Sequence, residues 1–247
     1  MATTGVNYSD AELMAVLLSR EVRDGEVSAC GALSHIPAAG LLLAQALHAP
    51  NADLIILGSI FNPFKTSKQF HYMAQRGDLG LFFVSGVQID KHANYNLHQL
   101  GPMDQPHTRF PGGYGGGMIF YGARRTVIFR TEQTRRSFVE KVDFISAAGD
   151  TPPDHLRHGH PSKVVTPKAN FHFDIQAGLL RLGTIHPGYT FEDIRENTGF
   201  DLGVTSAPMT LVPTEEELHI LRGPIRHKMI ETGTYAVWAE KALANAA

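Results

Sequence analysis

The chain has 247 residues, with 22 Lys and Arg against 24 Asp and Glu, a formal net charge of −2, 43% hydrophobic residues and a single cysteine, Cys30. That length builds one large α/β domain or two small ones, and ordinary apolar content with a small net charge excludes dominant disorder and a general nucleic-acid binder. One cysteine forms no internal disulfide, residues 1–10 carry neither a basic stretch nor an apolar core of a leader, and no run of about 18 apolar residues marks a membrane span, so a cytoplasmic protein without membrane or nucleic-acid partners is expected.

Ser9, with Glu12 three residues later, has the pattern of a capping box, and Leu13, Val16, Leu17 and Val22 follow at helical spacing up to Gly25. Val27 to Cys30 reads as a short buried strand, and Ala38 to Ala49 as an apolar helix closed by Pro50. Asp53 to Leu57, ending at Gly58, is a continuous apolar run, the pattern of a strand buried on both faces. Leu79 to Val84 and Thr126 to Phe129 repeat it, and Lys141 to Ile145 does so more weakly. Asp150 to Pro167 holds four prolines and His155, His158 and His160 with little apolar content, and is expected to be a long surface loop. Strand signals resume at Phe171 to Asp174 and Leu179 to Gly183, and helical ones at Phe191 to Glu196 and Glu215 to Arg222, the last capped by Thr214. The alternation predicts an α/β fold, an open, mostly parallel β-sheet with helices on its faces, in one domain over residues 1–247 with a His/Pro-rich loop near 150–167.

Chemistry concentrates in two places. Pro111 to Gly117 holds five glycines in six positions, leaving backbone N–H groups uncovered and able to face an anion or a developing oxyanion. Gly113 and Gly115 are the expected donors, with Gly112, Tyr114 and Gly116 lining the site; the competing reading is a flexible surface loop. The stretch matches neither a dinucleotide fingerprint nor a phosphate-binding P-loop. The second place follows the run ending at Val84, at the strand edge where open α/β sheets bind ligands. There Gln88, Asn94 and Asn96 suit the orientation of a carbonyl or carboxylate, although Asp90 and Asn94 fit local turn bonding better. Ser34 and His35 are adjacent and point apart on an extended chain, so they are no nucleophile pair, and His35 alone is a candidate general base. Arg109 precedes the glycine stretch and suits a carboxylate clamp, whereas Arg124 and Arg125 fit surface ion pairs. The spacing of His155, His158 and His160 matches no common metal site, so neither a metal nor a bound cofactor is expected.

Gly86-Val87-Gln88-Ile89-Asp90 with Asn94 and Asn96, then His107-Thr108-Arg109-Phe110 running into the glycines, resembles the B-type (beta) chain of glutaconate-type family I CoA-transferases. Ala49-Pro50-Asn51 and Glu196-Asn197-Thr198-Gly199-Phe200-Asp201-Leu202 extend the likeness, in order, from Glu12 to about Ile225. The resemblance implies the family I CoA-transferase fold, an A-type (alpha) partner subunit in a heterodimer or heterotetramer, and an active site shared with it. It also implies a catalytic glutamate at the end of the buried strand, where this chain has Leu57; a slip of one or two positions offers Gly58 or Ser59, and Ser59 then becomes a candidate substrate contact. The glycine motif departs too, with Tyr114 among the glycines, and Ala93 stands in place of a usual glycine. In lacking the glutamate the chain resembles the steroid-ring-opening acyl-CoA hydrolases, whose catalytic glutamate comes from the partner. The expected activity is retro-Claisen cleavage of a cyclic or β-dicarbonyl compound, with CoA present, if at all, only as part of the substrate. The alternatives are CoA transfer using a glutamate supplied elsewhere, and a non-catalytic subunit shaping its partner's site.

Overall fold

The computed structural model describes residues 7–152 and 154–243. In chain order the elements are α1 (Asp10–Ser19), β1 (Val27–Cys30), α2 (His35–Leu47), β2 (Asp53–Ile56), α3 (Ser67–Gln75) and β3 (Leu81–Val84). Four two-residue strands follow, β4 (Gln88–Ile89), β5 (Tyr95–Asn96), β6 (Gln99–Leu100) and β7 (Thr108–Arg109), then α4 (Gly116–Gly122) and β8 (Arg125–Phe129). The remainder is β9 (His160–Val165), β10 (Ala169–Asp174), β11 (Leu179–Ile185), α5 (Phe191–Glu196), α6 (Glu215–Ile220), a π-helical turn (Leu221–Ile225), α7 (Arg226–Glu231) and α8 (Ala236–Ala242). These cluster into two compact units, Met1–Pro63 with Leu211–Ala247, and Phe64–Thr210.

In the first unit β1 and β2 pair in parallel, from Val27 opposite Asp53 to Cys30 opposite Ile56. Helices α1 and α2 approach so closely that a Cβ at Gly40 would lie 2.9 Å from the Ala15 carbonyl oxygen, which is why a glycine sits there. Two ion pairs bind the C-terminal segment to α1, and each uses a carboxylate that is already a helix cap. Glu12 closes the capping box of α1 on Ser9 and also takes two hydrogen bonds from Arg222, at 2.6 and 2.9 Å. Glu217 does the same for α6 on Thr214 and takes two from Arg20, at 2.8 and 2.7 Å. Burial pushes both carboxyls up, but the arginine and backbone hydrogen bonds outweigh it and hold both below the usual carboxylate range.

The second unit contains the strand order β11-β10-β9-β8-β3. Its β3–β8 and β8–β9 pairs are parallel, and β9–β10 and β10–β11 antiparallel. The α/β class matches the sequence reading, and with β1–β2 three of these five strand pairs are parallel. All four residues of β3 are buried, as the apolar run requires. Among the described residues no helix is long and apolar enough to cross a membrane.

Three sequence expectations are corrected. The stretch 150–167 is not loop throughout: His160–Val165 forms β9, paired on both sides, and the strand accommodates Pro161 at a register shift opposite Thr126 and Val127. Lys141 to Ile145 is not a strand but a coil whose Val142 and Asp143 N–H groups are taken by the side chains of Asp90 and Gln88. The helix at Glu215 ends its α-helical bonding at Ile220 and widens into the π turn at Pro224, whose ring removes a donor.

A buried polar chain stiffens the second unit. The Nε2 of His186 lies 2.9 Å from the Thr166 carbonyl oxygen, so it carries the proton and donates; Nδ1 then accepts from Thr210 Oγ1 at 2.7 Å. Thr210 is fed in turn by Thr184, and Thr184 by Asn170. Burial lowers the His186 pKa from 6.5 to about 4, so the folded protein keeps this ring neutral while the unfolded chain protonates it. The unfolded state therefore binds more protons between those values, and stability is complete above pH 6.5 and declines as the pH falls towards 4. At about 1.4 kcal/mol per pH unit the loss is about 3 kcal/mol. Urea unfolding at a series of pH values should show this decline, and His186→Gln should flatten it in that window.

Candidate active site at the glycine turn

The second unit places β4 against β5 and β6 against β7 as two small antiparallel ribbons, with Gln88 opposite Asn96 and Gln99 opposite Arg109. The Asn96 side chain is fully buried and uses all its hydrogen-bonding capacity locally. Its Nδ2 donates to Gln88 Oε1 (2.8 Å) and to the Gln99 carbonyl (2.6 Å), and its Oδ1 accepts from the N–H of His98 (3.0 Å) and of Gln99 (3.3 Å). Gln88 Oε1 also accepts the Asp143 N–H, and its Nε2 donates to Asp143 Oδ2, which takes the Gly101 N–H as well. Asn94 donates to Asp90 and accepts the Gly149 N–H. Gln88 and Asn96 therefore do not face a ligand as expected, and Asn94 makes the turn bond to Asp90 that suits it better; all three fix backbone, within the segment and to Asp143 and Gly149. Ala93, buried and at φ 55, holds a left-handed position in the same turn.

The glycine stretch is a turn into α4 rather than a free surface connection. Gly112 lies at φ 88 and Gly115, the residue capping α4, at φ 80. The Gly116 N–H donates to the Gly113 carbonyl at 2.6 Å, so Gly116 closes the turn instead of contacting a substrate. Tyr114 is 82% exposed, and in this chain its phenol is in solvent, not in a pocket. A Cβ at Gly113 would meet nothing closer than 3.8 Å, whereas one at Gly115 would run into His71 Nε2. One at Gly112 would lie 3.3 Å from His98 Nε2, and one at Gly116 3.3 Å from the Tyr95 hydroxyl. Two imidazoles and a phenol thus crowd the turn where side chains are missing. Tyr95 is fully buried, edge-on to Phe120 with ring centroids 5.0 Å apart, and its hydroxyl has no hydrogen-bond partner among the described residues; burial pushes its pKa up, so it stays a donor. His98 Nδ1 is 2.6 Å from Ser146 Oγ, and its ring packs on Phe144. Arg109 is exposed, with Nη1 3.4 Å from Gln99 Oε1.

Sequence reasoning missed His71, His98, Tyr95 and Ser146. The only available signal was that His98 and Tyr95 fall in the same polar run as Asn96.

In the first unit, His35 opens α2 with its ring edge-on to Tyr235 at 4.5 Å and stacked on Trp238 at 5.8 Å. Burial lowers its pKa, so it is neutral, and its surroundings are aromatic packing rather than a proton-transfer partner. Ser59 is not directed at a substrate: its Oγ donates to the Ile56 carbonyl at 2.8 Å and accepts the Phe61 N–H at 3.1 Å, closing the turn after β2. Leu57, directly after β2, donates its N–H to the Cys30 carbonyl. No group of three or more His, Cys, Asp or Glu side chains able to hold a metal ion occurs among the described residues.

The model of the coenzyme A transferase family matches residues 59–197, more than half of the chain. The chain belongs to this family. It is 27% identical to the B-type chain of glutaconate CoA-transferase from Acidaminococcus fermentans, over 89% of this chain and 93% of that one. The solved structure of glutaconate coenzyme A-transferase from the same organism superimposes with a TM-score of 0.79 at 25% identity, covering 88% of this chain and 94% of that one. Over a shorter stretch, 55% of each chain, it is 33% identical to the IpdB subunit of the cholesterol ring-cleaving hydrolase from Rhodococcus jostii.

The room around Gly113 and the crowding at Gly115 separate two substitutions. Gly113→Ala should fold with near-normal stability. Gly115→Ala should lose about 1–2 kcal/mol from the left-handed backbone alone, with a further loss from the contact with His71. Thermal melts should show this order, and adding His71→Ala to Gly115→Ala should recover the steric part only.

Proposed function

We propose that this family member is the B-type subunit of a two-subunit hydrolase that cleaves a carbon–carbon bond of a cyclic or β-dicarbonyl acyl compound. Leu57 carries this reading. Anhydride-forming CoA transfer needs a carboxylate nucleophile at the end of the strand, and a leucine there cannot attack a thioester. The relatives supply the rest of the support: one is the B-type chain of a transferase, and another is a subunit of a ring-cleaving hydrolase.

In this reading an A-type partner provides a carboxylate base that takes a proton from water. The resulting hydroxide adds to a ring or side-chain carbonyl, whose oxygen becomes an oxyanion. As the oxyanion collapses, the bond to the α-carbon breaks, the electron pair moves onto that carbon as an enolate, and a proton returns to it. The products are a carboxylate and a shortened or opened carbonyl compound. This chain contributes the glycine turn, where the N–H groups of Gly113 and Gly115 face the oxyanion. Preorganised donors of this kind supply about 10²–10³ in turnover each. In this reading the reaction needs no bound cofactor, and CoA enters only as part of the substrate. The site of action is the cytoplasm, in keeping with a lone, unpaired and buried Cys30.

The test uses the chain co-purified with an A-type partner, a cyclic β-diketone and a β-ketoacyl-CoA as probes, and heavy-oxygen water. Cleavage without any acceptor acid, with one solvent oxygen in the new carboxylate, is the expected result. Movement of CoA to an added acid, with a thioester trapped on an enzyme carboxylate by borohydride, would overturn the hydrolase reading. The isolated chain should show less than a hundredth of the complex's turnover.

A further inference from the structure

We propose that His98 is a catalytic hydrogen-bond donor at the glycine turn, held by Ser146 with its proton on Nε2, and that it shares the charge of a substrate oxyanion with the turn's backbone. The proposal rests on the reading that the glycine turn receives a substrate carbonyl, and adds a side chain that neither the family resemblance nor the sequence pattern assigned.

The geometry fixes His98 on every side but one. Its N–H is held by Asn96 Oδ1 at 3.0 Å, and its carbonyl accepts the Phe110 N–H at 2.8 Å. The ring lies 4.6 Å from Phe144, centroid to centroid, and Nδ1 is 2.6 Å from Ser146 Oγ. The Nε2 edge alone is turned towards the turn, 3.3 Å from where a side chain at Gly112 would begin. Glycine at that position opens the space for the imidazole edge and whatever it meets.

Ser146 decides which nitrogen carries the proton. Its Oγ accepts the Leu97 N–H at 2.7 Å. If Nδ1 also donated to it, the serine's own proton would have no partner among the described residues, whereas donation to His98 Nδ1 uses the hydroxyl in full, so we assign Nδ1 as the acceptor. A neutral imidazole that accepts at Nδ1 donates at Nε2. Ser146 is itself anchored, since its N–H donates to the Tyr95 carbonyl at 2.9 Å and its carbonyl packs 2.8 Å from where a Cβ at Gly117 would lie. The same serine therefore touches both the histidine and the first residues of α4, and couples the donor's orientation to the turn it serves. The buried Tyr95 hydroxyl beneath Gly116, without a hydrogen-bond partner among the described residues, is a second polar group concentrated on this turn.

His98 in this role breaks no covalent bond and transfers no proton. It lowers the energy of the oxyanion, so its removal should depress turnover much more than substrate affinity. Ser146 is a positioning residue, acting only through the tautomer.

The experiment uses the complex with the A-type partner, after checking assembly and melting temperature of each variant. With histidine selectively labelled with nitrogen-15, His98 should show the Nε2–H tautomer; Ser146→Ala should lose that preference and Ser146→Thr should restore it. His98→Phe should lower kcat by about 10²–10³ with KM within threefold, and His98→Gln, which keeps an N–H near the Nε2 position, should recover at least tenfold of the loss. Ser146→Ala should cost less than His98→Phe. An Nδ1–H tautomer in the wild type, a His98→Phe variant within twofold of wild type, or an acyl adduct on Ser146 would each overturn the proposal. If the wild-type complex transfers CoA and cleaves no β-dicarbonyl probe, the hydrolase reading fails by itself. The kcat ratio is then measured on the transfer reaction, which also passes through an oxyanion, and the same threshold decides the role of His98.

Discussion

Four hydrogen bonds converge on the buried amide of Asn96, and the geometry of the second unit's candidate site follows from them. The amide joins Gln88 on one ribbon to Gln99 on the next, and it holds the His98 N–H on the way. Gln88 extends the frame to Asp143, which takes the Gly101 N–H. Burial makes this frame specific: a partner removed from such a network leaves donors and acceptors stranded away from water, each costing about 1–3 kcal/mol. Side chains that look like ligand contacts when read along the chain are here the scaffold on which the contacts are mounted.

The glycine turn depends on that scaffold from the other side. It is crowded by groups that belong to distant elements, His71 on α3, His98 between β5 and β6, and Tyr95 on β5. The missing side chains have two separate uses. At Gly112 and Gly115 they permit positive φ and make room for imidazole rings, while at Gly113 the backbone is ordinary and the space above it is open. A single description of the stretch as glycine-rich conceals this division of labour.

Features set by neighbouring residues were legible in the sequence. The caps at Ser9 and Thr214, the apolar strands β1, β2, β3 and β8, and the short helix α5 depend on contacts within a few residues or on simple periodicity. Family membership was legible because several separated motifs occur in a fixed order, and the departure at Leu57 was visible for the same reason. Strand β9 was hidden by prolines and histidines that the sheet tolerates only because a register shift accommodates them. The two-residue ribbons are too short to carry a period. His98 was invisible because its value comes from Ser146, 48 residues further along, and the roles of Gln88 and Asn96 were inverted because hydrogen-bond satisfaction is a property of three dimensions.

The reciprocal clamp between α1 and the C-terminal helices has a consequence for biosynthesis. Glu12 and Arg222 are separated by 210 positions, and Arg20 and Glu217 by 197. The whole of Phe64–Thr210 is therefore synthesised before the partners of α1 leave the ribosome. At about 5–20 residues per second, the apolar surfaces of α1 and α2 wait on the order of ten seconds or more with their acidic cap uncompensated. A ribosome stalled before Leu211 would release a chain whose middle unit has all its own residues while its first unit lacks the arginine that makes burial of Glu12 tolerable.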